Sequence, residues 1–144
     1  MKAMNLVLMC FSILIFSCES KSESIEKDIL AGTWKLDSVY FKNENKIKHY
    51  PETLEQEVFI EFINSSEVDL TGYCNAGSAS YVLNENTITF ENVSLSEKAC
   101  PYVGGEWEAY LYELPEMISY NFENSELNLI SKANIDLFLS KLGD

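Results

Sequence analysis

Hydrophobic and polar residues alternate with period two over most of the chain beyond residue 30, the signature of half-buried strands. In the first such run Trp34, Leu36, Ser38 and Tyr40 share one face, with Lys35 and Asp37 on the other. Val58–Phe62 predicts a second strand, ended by the turn residues Asn64, Ser65 and Ser66. Glu67–Leu70 alternates again toward Tyr73. Ser80–Leu83 and Thr87–Phe90 flank a three-residue hairpin connection, Asn84-Glu85-Asn86, in which an asparagine can take a positive φ. Glu126–Ile130 and Asn134–Leu139 flank a second candidate turn at Ser131–Ala133. The polar stretch 43–57 reads as a loop. Short strands with turns every 8–12 residues or so imply a sandwich or barrel and argue against βαβ units.

One segment has the other period. Between Gly105 and Leu114 the apolar residues Trp107, Tyr110, Leu111 and Leu114 fall at i, i+3, i+4 and i+7, which predicts one helix packed on the sheet. Glu106, Glu108 and Glu113 lie mainly outside that stripe, and Glu106 and Glu108 would sit near the positive end of the helix dipole. Pro115 should end or kink the helix. The expected fold is therefore mainly β with one packed helix.

The N-terminal residues set the expected compartment. Lys2 precedes an apolar stretch over 5–16, the length of a signal-peptide core and too short to span a bilayer. Ser17-Cys18 follows at once and resembles a bacterial lipobox, which implies acylation of Cys18 and loss of residues 1–17, Cys10 among them. An ordinary secretory leader with an incidental cysteine is the competing reading. Residues 18–29 are polar, carry mixed charge and read as a solvated tether, leaving 30–142 as the folded body. The expected location is the bacterial envelope with a lipid anchor, the outer membrane more than the inner.

Composition narrows the partners. The chain has 144 residues, the size of one domain, and 47% hydrophobic residues exclude a disordered or collagenous polymer. Lysines number ten, arginine is absent, and 23 acids give a formal charge of −13, which repels a phosphate backbone and excludes nucleic acid as a natural partner. Loss of the leader removes one lysine and no acid, so the mature chain is more negative still. A lipid anchor would hold it to a membrane despite that charge, at roughly 0.8 kcal/mol per buried methylene. An envelope protein partner is a further expectation, and oligomeric state is left open.

Cys74 and Cys100 are the two cysteines of the body. In an oxidising compartment the pair favours a disulfide, which the chain-entropy account values at roughly 3.5 kcal/mol for a loop of about 26 residues. Buried free thiols and metal ligation are the alternatives. One histidine, His49, and no C-x-x-C motif make a zinc set weak. The chain also lacks G-x-S-x-G, H-E-x-x-H, a phosphate loop and a D-x-D-x-D-G calcium loop, and His49 lies in a polar loop without a nucleophile. No cofactor, metal or catalytic set is expected. Paired carboxylates will arise by chance among so many acids.

Four motifs in order carry a family resemblance. Gly72-Tyr-Cys74-Asn75, then Gly77 and Tyr81, resembles the G-x-C-N…G-x-Y signature of the META domain family, which includes bacterial envelope proteins of the HslJ type. Ser96-Glu-Lys-Ala99-Cys100, then Glu106 and the apolar helix, is similar to that family's T-x-x-A-C…E…L segment, with serine for threonine. Leu30-x-Gly32-Thr-Trp34 and the closing Leu127-x-Leu…Leu137-x-Leu139 also match, so the resemblance covers residues 30–142. Tyr73 before the cysteine and the acidic 43–57 loop depart from the pattern. Taken with the alternation, the resemblance implies a compact antiparallel sheet or partly open barrel, lipocalin-like in general architecture, with a packed helix and no known reaction. Gly72, Cys74, Asn75, Gly77, Ala99 and Cys100 then have a structural role: glycines for close backbone approach, and an asparagine amide to satisfy loose backbone groups. Gly32-Thr-Trp34 also resembles the opening of lipocalins, which implies a second reading, a carrier of a small apolar ligand.

Overall fold

The computed structural model describes residues 29–99 and 102–143. Cys18 and Cys100 fall outside the described residues. Among the described residues nine strands form: β1 (Gly32–Phe41), β2 (Lys46–His49), β3 (Phe59–Phe62), β4 (Glu67–Thr71), β5 (Ala76–Asn84), β6 (Thr87–Leu95), β7 (Met117–Glu123), β8 (Glu126–Ser131) and β9 (Ile135–Lys141). Between β6 and β7 lie a short helix, α1 (Tyr102–Ala109), and a 3-10 stretch (Tyr110–Glu116).

Every neighbouring pair is antiparallel, and β9 returns to pair with β1 from Trp34↔Lys141 to Phe41↔Ile135. On its other edge β1 holds β3 through Gly32–Lys35 and β2 through Ser38–Phe41. Eight strands, β1 and β3–β9, therefore close a barrel, and β2 is a short extra strand beside it. Closure abolishes the exposed edges that an open sheet of this length would present. The interior is packed with side chains: Trp34, Leu36, Ile60, Val68, Leu70, Ile88, Leu127, Leu129, Leu137 and Leu139 are all buried. Phe62 meets Tyr81 edge to face, centroids 5.1 Å apart, an arrangement favoured by the ring quadrupoles.

Four expectations change. The inward face of β1 does not run on to Tyr40: the register shifts between Leu36 and Ser38, and Val39 is buried instead. A bulge advances the phase by one residue, so every later side chain changes face. Tyr40 is half-buried and donates its hydroxyl hydrogen bond to Asn45 Oδ1 (2.9 Å). Second, the polar 43–57 stretch contains β2, held by its backbone pairing with β1. Third, the β5–β6 connection is a two-residue turn whose positive φ falls on Glu85 (54°) and not on an asparagine. Fourth, β7 occupies a region that the alternation left unassigned. It is joined to β8 by Asn124 and Ser125, both at positive φ (51° and 69°), as a hairpin turn matching strand twist requires.

The helix begins earlier than predicted and tightens to 3-10 geometry from Tyr110, so Pro115 lies inside the helical run. Its predicted stripe holds nonetheless: Trp107, Leu111 and Leu114 are buried, and Tyr110 packs at the margin of the core. This segment fills the barrel where β6 and β7 diverge, since those two strands share one residue pair, Thr87↔Ser119.

The strand directions define two ends. At one lie the start of β1, the β3–β4, β5–β6 and β7–β8 connections and the end of β9. Leu30 and Trp34 close it, the Trp34 indole N–H donating to the Leu30 carbonyl at 2.7 Å, with Phe122 edge-on at 5.1 Å. The β4–β5 connection, the 96–99 segment and α1 occupy the opposite end.

Candidate functional site

The residues singled out between 72 and 77 meet at that opposite end, around a carboxylate. Glu108, in the last turn of α1, is 4% exposed. One of its oxygens, Oε2, accepts the backbone N–H groups of Cys74 (2.9 Å) and Asn75 (2.8 Å). The other, Oε1, accepts the Asn75 side-chain amide at 2.6 Å. Two successive backbone N–H groups converging on one oxygen form an anion cradle, here filled by a group of the same chain. Burial pushes the Glu108 carboxyl up; the hydrogen bonds from the Asn75 side chain and the two backbone N–H groups outweigh it and hold the pKa below the usual 4.5.

Asn75 completes the connection. Its Oδ1 accepts from Ser96 Oγ (2.9 Å) and the Lys98 backbone N–H (2.7 Å), while Nδ2 also donates to the Lys98 carbonyl (3.2 Å). One amide thus ties the β4–β5 turn to the 96–98 segment and, through Glu108, to the helix. Ser96 does the work expected of a threonine hydroxyl at this place, since it also accepts from the Ala76 N–H at 3.3 Å.

The glycines are required by close approach. A Cβ on Gly77 would lie 1.7 Å from the Ser94 carbonyl oxygen, and one on Gly72 would lie 2.4 Å from Glu108 Oε2. Tyr73, the departure from the family pattern, lays its ring against Gly104 of α1. Ala99 is exposed at the end of its segment. Cys74 is disulfide-bonded; its expected partner Cys100 is outside the described residues.

Glu106, the acid matched to the family segment, is not the one that reaches the motif. It pairs with Lys48 at 2.7 Å, and Lys48 also lies over the Trp107 ring at 5.3 Å. Because α1 begins at Tyr102, neither acid stands in its first turn.

Elsewhere, His49 borders a surface hollow with Lys35, Asp37, Tyr50, Glu52 and Glu57. Lys35 reaches both Asp37 (3.4 Å) and Glu57 (3.5 Å), and Tyr50 donates to the Gln56 carbonyl at 2.6 Å. Burial, then the nearby Tyr73 and Glu57, push the Tyr50 phenol up to about 12. Among the described residues no cluster of three or more His, Cys, Asp or Glu is arranged to hold a metal ion.

A model of the META domain family matches residues 27–141. The chain belongs to the META domain family. Its META domain spans the whole barrel, including the Asn75–Glu108 connection. Among solved structures, it is similar to a protein from Burkholderia xenovorans determined by NMR, at 16% identity and TM-score 0.66, over 81% of this chain and 86% of that one. It is also similar to a DUF4847 family protein from Bacteroides vulgatus, at 12% identity and TM-score 0.59, over 83% of this chain and 99% of that one. These likenesses establish a shared fold. No curated protein matches the chain.

Proposed function

We propose that this protein is a lipid-anchored component of the bacterial envelope whose META domain serves as a non-enzymatic scaffold, in structural support, stress tolerance or protein interaction. The observation that carries the reading is the saturation of the motif. The Asn75 amide and the Glu108 carboxylate direct their hydrogen bonds at each other and at neighbouring backbone, which makes them parts of a brace. A carboxyl acting as a general acid needs the opposite, a raised pKa beside a cleft. The packed interior favours a scaffold over a carrier.

In this reading Cys18 carries the anchor, and Cys74 bridges Cys100, pinning the β4–β5 turn to the segment before α1. The chain enters the barrel at Ile29, at the end opposite the motif. An anchor at Cys18 would therefore turn the Cys74–Asn75 end away from the membrane.

One experiment tests the proposal. Cells making the wild type and Cys18→Ser are fractionated, and the recovered proteins are weighed by native mass spectrometry. The expected result is an acylated wild type in the membrane fraction, a released Cys18→Ser variant, and a folded body without a bound small molecule. Membrane retention of unacylated Cys18→Ser would overturn the anchor. A retained apolar ligand in both forms would replace the scaffold with a carrier.

A further inference from the structure

β2 stands outside the closed ring and pairs on one side: β1 holds it, and among the described residues no strand lies along its other edge. The ladder fixes which backbone groups face outward. The Tyr50 N–H donates to the Asp37 carbonyl at 2.7 Å, so Lys46 and Lys48, at even spacing from Tyr50, also turn their backbone groups to β1. The N–H and C=O of Ile47 and His49 then point away from the barrel, and both residues are exposed. Side chains alternate across the strand: Lys46 and Lys48 share the face of their partners Phe41 and Val39, Ile47 and His49 that of Tyr40 and Ser38.

The charge of this hairpin is opposite to that of the rest. From Gly32 to His49 the chain carries Lys35, Lys42, Lys46 and Lys48 against Asp37 and Glu44, whereas β3 to β6 carry Glu61, Glu67, Asp69 and Glu91 and no lysine. Lys35, Lys42 and Lys48 are held by acids of this chain. Lys46 is exposed and makes no ion pair among the described residues.

We propose that the free edge of β2 receives an extended segment of a partner protein as an added strand, acidic on one face and apolar on the other. Backbone hydrogen bonds to Ile47 and His49 hold it. Its acids stand beside Lys46, and its apolar side chains beside Ile47, which is 49% exposed. The same lysines reject a second copy: two β2 strands side by side would set Lys46 and Lys48 against like charges, which destabilises a pairing. A strand of four residues offers few hydrogen bonds, so the contact is weak and reversible. The inference rests on the protein-interaction form of the proposed function and is independent of an anchor at Cys18.

The probe is a capped, fluorescent peptide alternating glutamate and valine, titrated into the purified protein and read by anisotropy. Saturable binding is expected, weakened about fivefold by Lys46→Glu and also by added salt. Ile47→Pro removes an outward N–H without touching the ladder to β1, and should weaken binding about tenfold. Unchanged thermal melting of both variants shows an intact barrel. The fully N-methylated peptide keeps the charge and loses every N–H, so it should fail to bind the wild type, whatever the variants do. No binding of the parent peptide at millimolar concentration, equal binding of a lysine–valine peptide, or wild-type affinity in both variants would overturn the proposal. So would a dimer of this protein that the peptide dissociates in sedimentation, which would assign the edge to a second copy. An acylated, ligand-free protein in the membrane fraction that binds no peptide would remove the docking edge and leave the scaffold standing.

Discussion

The two ends of the barrel are closed by opposite means. At the motif end a buried carboxylate on the helix and an amide gather backbone N–H and C=O groups from two segments, the 74–75 turn and Lys98; at the N-terminal end two indole-flanking apolar side chains and one indole hydrogen bond suffice. The difference follows from what each end must tie together. Tight hairpins at the N-terminal end satisfy their own backbones. The motif end receives a long crossover carrying a helix, whose loose polar groups need partners, and unpaired buried ones are costly. The polar brace is therefore strong but breakable by one substitution, and the apolar cap is weaker but tolerant.

The largest break expected is Glu108→Ala. It strands the Cys74 and Asn75 N–H groups and the Asn75 amide, and should cost about 4 kcal/mol in urea unfolding. Since these groups act together, Asn75→Ala on top of it should add little, and additive losses would show that the brace is not one unit. Acid gives a smaller effect with a defined sign. The Glu108 pKa is held below 4.5 in the folded state, so its contribution is complete above that value and is lost as pH falls beneath it. The urea midpoint of the wild type should drop more steeply in that range than that of Glu108→Gln, and parallel curves would remove Glu108 from the account. Phe122→Ala, at the other end, should cost only about 1 kcal/mol in the same assay, the worth of an edge-to-face pair at the surface.

Much of the barrel was legible in the alternation, because strands with one face in a core must repeat every second residue. Closure was not, since the β1–β9 pairing is between the most distant strands and leaves no local mark. Nor was the bulge after Leu36, which lets Val39 replace Tyr40 inside, or β2, whose Lys46 and Lys48 look like loop residues. At the site, Gly72, Asn75 and Gly77 were readable as a bend with a polar amide, and Ser96 only as the hydroxyl of the family's second segment. Glu108 was not. Glu106 and Glu108 flank the apolar stripe on opposite sides of one helix, and which flank faces the motif depends on how that helix is set against the β4–β5 turn. The unused clue was chemical: adjacent turn N–H groups beside a glycine call for an anion.

The lone residue pair between β6 and β7 has a consequence for how this protein would fail. Leu111 and Leu114 of the intervening segment keep that seam shut by occupying it. If the plug were withdrawn, the ring would become an open ribbon with two bare borders, each able to recruit another molecule. The short helical run thus guards against polymerisation, a duty independent of whatever the opposite rim of the barrel contacts.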